Sequence, residues 1–195
     1  MHTLWLGVAK SVWHIWRLQI DEQGQVISDA SVAVIAQRAS STLPPGDIPD
    51  FSRKVLCNMS HMKAMEWQSW VCVFSMFALK GVISEPHYSA WSDFVDGCRL
   101  ICQHSLTDQD IELAEGYLTN FYRKFSTLLP WHLITPSFHF ILHIPGQIRR
   151  FGSIYNQQCA GYERLNGFIA GTPNNGRCLE SQVVERWYAR VDRPL

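Results

Sequence analysis

The chain has 195 residues, enough for one domain with a real core and too few for two of ordinary size. Its 17 Lys and Arg balance its 17 Asp and Glu, so no global basic field marks it as a nucleic-acid binder, and any such contact has to be local. A hydrophobic content of 47% with eight Trp, ten Phe and six Tyr excludes a disordered chain and predicts an aromatic-rich interior or interface.

Leu4 to Ile20 places Trp5, Val8, Ala9, Val12 and Trp16 at helical spacing, with Lys10 and Arg17 off the stripe. So apolar a start, with no lead-in, predicts that the chain begins inside a domain, as a partial gene product does. Asp21 to Gly24 breaks the pattern, and Val32 to Arg38 predicts a short helix. Ser40 to Asp50, SSTLPPGDIPD, reads as the clearest loop. Met62 to Lys80 carries Met65, Val73, Phe74, Phe77 and Ala78 and stops at Gly81, a good residue to follow a helix, so a central core helix is expected there. Pro86 suits the opening of the next helix, with Trp91, Phe94, Val95, Cys98 and Ile101 as its inner face.

Thr107 followed by Asp110 resembles a capping box and starts a helix to about Leu129. Ile111, Ala114, Leu118, Phe121, Tyr122, Phe125 and Leu128 give that helix the cleanest amphipathic pattern in the chain. Thr135-Pro136 predicts the cap of another helix running through His143, kinked or ended by Pro145. Gly152, Gly161, Gly167 and Gly171 punctuate the C-terminal stretch, with helices expected over about Ala160 to Ile169 and Leu179 to Ala189. No segment alternates as a strand does and no internal repeat is present, so the expected fold is mainly α, a single irregular helical domain over 1–195.

Six Cys (Cys57, Cys72, Cys98, Cys102, Cys159, Cys178) are scattered with no CxxC pair, which reads as reduced thiols of an intracellular protein. His2, Lys10 and His14 interrupt the apolar first sixteen residues and no small-residue cleavage site comes after them, so that stretch reads as a helix and not a signal. The longest uncharged apolar run, Trp67 to Leu79, falls short of the roughly 18 residues a membrane span needs, and no membrane partner is expected.

Several constellations bear on chemistry. His139 and His143 are four apart, so a helix sets them on one face where they could chelate a metal, with Cys159 the nearest further ligand. The competing reading is histidines hydrogen-bonded in the core or facing a polar cleft, and no HExxH glutamate marks a hydrolase. Cys98 and Cys102 share a helix face and read as packing, because no activating base stands at a telling spacing. No GxGxxG or GxxxxGK[ST] loop supports nucleotide binding. Glu163 and Arg164 are the only charged residues between Arg150 and Arg177, a setting that keeps competing charges away from a functional carboxylate. Arg149, Arg150, Arg164 and Arg177 flank that glutamate and could meet phosphates as bidentate forks, or simply be solvated surface.

Met1-His2-Thr3-Leu4-Trp5-Leu6-Gly7 resembles the MHxLxLG element of the Tnp2-type, CACTA-like DNA transposases. The segment from Thr135-Pro136 through His139, His143, Gly152, Tyr155, Cys159, Glu163-Arg164 and Asn166-Gly167 to Asn174-Asn175-Gly176-Arg177 and Glu180 is similar to the DUF4218-like region of the same proteins. On this resemblance 1–50 is the end of the transposase core-like segment and a loop, and 51–195 the DUF4218-like helical region. The resemblance implies an RNase H-type nuclease whose acids hold divalent metal, Mg or Mn, at a two-ion centre that clamps attacking and leaving oxygens. Glu163, in the matching Tyr-Glu-Arg motif, is the candidate final acidic ligand.

Two departures from the family pattern matter. The acid expected before the Met-His pair, and the strands bearing the other acids, have no counterpart in the sequence; His143-Ile144-Pro145 replaces an uninterrupted helix. The implied reading is a C-terminal fragment or remnant of a transposase, without independent DNA-cleaving activity, needing no cofactor of its own and located in the nucleus. Its partners are then DNA and an upstream transposase polypeptide. The alternatives are a subunit that completes a strand-transfer site in trans, and a host-recruited helical module that holds a protein partner through Trp67, Trp70, Trp131 and Trp187.

Overall fold

In the computed structural model, residues 2–18, 25–42, 59–154, 160–172 and 177–191 are described. They are mainly α, with no strand among them. A wide π-helical stretch, Thr3–Ala9, runs into the α-helix Lys10–Arg17, and together these form α1. The Lys10 N–H accordingly bonds to the Trp5 carbonyl, five residues back. Trp5, Val8, Ala9, Val12 and Trp16 are buried, as the spacing predicts, and so is Leu4.

The helix α2, Asp29–Ser41, opens on the Ser28 side chain, which accepts from the Ser31 N–H, and runs longer at both ends than the apolar pattern predicts. Ser40 and Ser41, expected in the loop, belong to its last turn, and each hydroxyl donates to a carbonyl three residues back. The rest of that expected loop, 43–50, lies outside the described residues.

The central helix α3 consists of Ala64–Ser69, a second π-helical stretch Trp70–Phe74, and Ser75–Leu79. Trp67, Trp70, Val71, Phe74, Ser75, Ala78 and Leu79 are buried, a step close to four residues that matches the wide turn. Met65 and Phe77, expected in the core, fall off that line and are 51% and 55% exposed. Ser75 compensates for the disturbed ladder: its N–H bonds to the Trp70 carbonyl, its hydroxyl donates to Val71 O at 2.9 Å, and the hydroxyl accepts from Trp91 Nε1 at 2.9 Å. Gly81, at φ +68°, succeeds the helix in the left-handed conformation that glycine adopts without strain. Arg38 of α2 reaches the end of α3, donating to the carbonyls of Ala78 and Lys80.

Pro86 sits in the first turn of α4, Glu85–Ile101. Thr107 and Asp110 close a reciprocal capping box at the start of α5, Asp108–Leu128. The two helices pack as a close pair: a Cβ added at Gly97 would stand 3.0 Å from a Leu118 methyl. Their inner faces join α1 and α3 in an aromatic core, with Trp16 and Trp91 rings 5.3 Å apart and Phe94, Phe121 and Phe125 in sequence at about 5 Å.

After a 3-10 turn at Trp131–Leu133 comes α6, Pro136–Phe140, extended by a 3-10 turn Ile141–His143, and then α7, Ile144–Phe151. Pro145 sits in the first turn of α7, so the helix expected through His143 does end just before it. It has no N–H to give to Ile141 O, and the Ile144 N–H takes that carbonyl instead, which tightens the turn between the two helices. Gly152, at φ +79°, ends α7 with its N–H on Ile148 O.

The chain divides into two compact units, Met1–Asn156 and Gln157–Leu195. The second contains α8, Ala160–Ala170, and α9, Leu179–Val191, both where the sequence predicts helices. No helix among the described residues is long and apolar enough to cross a membrane.

Candidate functional site

The residues singled out by the sequence fall on three places. On α6, Phe138 is fully buried and stacks on Phe121 and Phe125 with centroids 5.9 and 5.5 Å away, and Ile141 is buried one turn on. That anchorage leaves His139 and His143 exposed on the outer side. Their Nε2 atoms lie 3.1 Å apart and their ring centroids 4.8 Å apart at 79°. The pair is thus brought together, but on the surface and bonded to each other, in place of the core or polar-cleft setting the sequence also allowed. Cys159, the expected further ligand, lies outside the described residues.

On the last turn of α7, Arg149 and Arg150 point to solvent and complement the negative end of the helix dipole. Arg149 Nη2 is 2.7 Å from Glu115 Oε2 of α5, so its charge is already matched, whereas Arg150 has no ion pair among the described residues.

In the second unit, Glu163 and Arg164 stand in the first half of α8, and their side chains lie outside the described residues. Arg177 is exposed just ahead of α9, and its carbonyl accepts from the Gln182 amide. The two helices meet through an edge contact of Phe168 and Trp187 at 5.8 Å, with the Arg186 guanidinium over the Phe168 ring. Arg186 also donates to Gly171 O, and the Thr172 hydroxyl to Phe168 O, which seals the end of α8. Leu165, Ile169, Val184 and Trp187 line a shallow apolar groove along the pair.

Mg2+ and Mn2+ take oxygen donors, chiefly carboxylates and water. Among the described residues no three His, Cys, Asp or Glu side chains converge as a metal site, so the donor set for such an ion is not assembled there.

Sequence spacing missed a thiol group. Cys72 of α3 joins Cys98 and Cys102, because α3 and α4 pack side by side and bring residues distant in sequence together. A hydrogen bond from the Cys102 thiol lowers the Cys72 pKa against the opposing effect of burial, helped by Arg99, whose Nε also donates to the Cys72 carbonyl. The same bond, then burial, pushes Cys102 far up; burial pushes up Cys98, which is packed in the core as expected. Of the four tryptophans considered for partner binding, Trp67 and Trp70 are buried, whereas Trp131 is 85% and Trp187 44% exposed.

The chain matches no family model, no curated protein and no solved structure.

Proposed function

We propose that the chain is the helical C-terminal part, or a remnant, of a CACTA-like DNA transposase, without DNA-cleaving activity of its own. What supports this reading is the order of motifs in the chain, Met1 to Gly7 at one end, then Thr135-Pro136, Tyr162-Glu163-Arg164, Asn166-Gly167 and Asn174 to Arg177, which resembles the order in those proteins. The helical architecture agrees with what the resemblance implies for this region. An RNase H-type centre needs several carboxylates converging from a sheet, and one glutamate on a helix cannot stabilise both the attacking and the leaving oxygen. Glu163 is in this reading the surviving acid of such a centre, and the exposed Arg150 and Arg177 are positions for DNA phosphates. The nucleus is the compartment in which such a protein acts.

The test is direct. Purified protein with Mg2+ or Mn2+ and a labelled duplex gives no nicking. Nicking that disappears in Glu163→Gln overturns the proposal in favour of a chain that carries, or completes in trans, a working strand-transfer site.

A second reading, a helical module that binds a protein partner, draws on the exposure of Trp131 and Trp187. Sedimentation at high concentration separates the two readings: an apolar binding face promotes self-association, and a monodisperse monomer counts against it.

A further inference from the structure

We infer that His139 and His143 form a two-imidazole chelating site for a divalent ion of the nitrogen-preferring class, such as Cu2+, Ni2+ or Zn2+. The inference rests on geometry and is independent of the transposase reading.

With metal–nitrogen bonds of about 2.0–2.1 Å, two imidazoles on neighbouring positions of a tetrahedral or octahedral ion stand about 2.9–3.4 Å apart. The Nε2 atoms of His139 and His143 are 3.1 Å apart, within that range. That separation also accommodates one N–H···N hydrogen bond, in which one ring carries its proton between the two. A metal ion takes the place of that shared proton. Both Nε2 lone pairs are then needed, so the donating ring moves its proton to Nδ1, and two neutral rings bind without net loss of a proton.

The pair is also held in place. Phe138 and Ile141 are buried beside the two histidines, and Pro145 and Ile148 are buried beyond them, so the backbone carrying both rings is fixed to the core. The 3-10 turn at Ile141–His143 sets the rise between them. Little ordering is left to occur on binding, which favours chelation over attachment through either ring alone. Exposure of both rings leaves the remaining coordination positions open to water or to a further ligand. Imidazole nitrogen excludes Mg2+ and Ca2+ as preferred occupants and favours the later first-row ions.

Titration calorimetry of the full chain with Zn2+ and with Ni2+ tests this, using the wild type, His139→Gln, His143→Gln and the double variant. The wild type should bind one equivalent that each single variant loses, with affinity falling at least about tenfold and neither single variant binding better than the double. Circular dichroism without metal should be the same for all four chains, since both side chains are exposed. A wild-type isotherm indistinguishable from the double variant's overturns the site. So does a stepwise loss in which each single variant keeps half of the effect, because independent surface histidines behave in that way.

Discussion

The indole N–H of Trp16 donates to Nδ1 of His87 at 3.1 Å, joining α1 to the first turn of α4 at the edge of the aromatic core. His87 can accept only when it is neutral with its proton on Nε2, and burial lowers its pKa from the ordinary 6.5. The folded state therefore binds fewer protons here than the unfolded chain does. The stability from this contact is complete above the unfolded pKa of about 6.5 and is lost as the pH falls below that value toward the folded pKa. His14, lowered by burial and then by Lys10, adds in the same direction. Urea midpoints should fall between about pH 7.5 and pH 5.5 in the wild type and fall less in His87→Gln. Parallel pH curves for the two chains would rule out His87 as the source.

The contact of α1 with α6 depends on a missing side chain. A Cβ built on Gly7 stands 2.7 Å from Ser137 Oγ and 2.9 Å from Ser137 Cβ. Gly7→Ala should destabilise the first unit by about 1–3 kcal/mol through overpacking, a melting temperature lower by several degrees. Gly116→Ala, on an open face of α5 with nothing within 4 Å, should be neutral or stabilising. Adding Ser137→Gly to Gly7→Ala should recover part of the loss. Equal melting temperatures for wild type and Gly7→Ala would mean that α6 moves away at no cost.

Sequence legibility tracked the range of the interactions. Thr107 and Asp110 were readable because both halves of the capping box are local: the Asp110 carboxylate takes the Thr107 N–H and hydroxyl, which lowers its pKa. The buried stripes of α4 and α5 were readable for the same reason, since regular helices keep a fixed period. The π-helical stretch Trp70–Phe74 shifts that period within α3, and Phe77 lies on the exposed side. Spacing placed His139 and His143 on one face, but only the anchorage of Phe138 on Phe121 and Phe125 says that the face is the outer one. Glu163 was assigned as an acidic ligand only through the resemblance, because a lone glutamate on a helix carries no physical pattern of its own until other acids stand beside it.

The thiols should separate by environment. Cys178 is exposed and Cys72 is half-buried with a lowered pKa, whereas burial raises Cys98, and the bond to Cys72 and then burial raise Cys102. Iodoacetamide reacts with thiolates, so under native conditions Cys178 and Cys72 should label at least about tenfold faster than Cys98. Peptide mapping after timed quenching reads this directly. Replacing Cys102 with Ala should slow Cys72, because the bond that favours its thiolate is gone. Faster labelling of Cys98 than of Cys72 would show that α3 and α4 part more readily than their packing allows.

Arg149 and Arg150 are neighbours in sequence with different prospects for DNA. The carboxylate of Glu115 lies 2.7 Å from Arg149, and a phosphate has to compete with it, while Arg150 meets no such competitor among the described residues. If the second turn of α7 contacts DNA, Arg150→Ala should weaken binding and reduce the salt slope by about 1, the release of counterion at one phosphate. Arg149→Ala should do less. Glu115→Gln should strengthen binding, because it removes a like charge from the phosphate and frees the Arg149 fork. Fluorescence anisotropy of a labelled duplex across a salt series measures all three. A larger loss from Arg149→Ala than from Arg150→Ala, or no gain from Glu115→Gln, would show that the end of α7 does not face the phosphates.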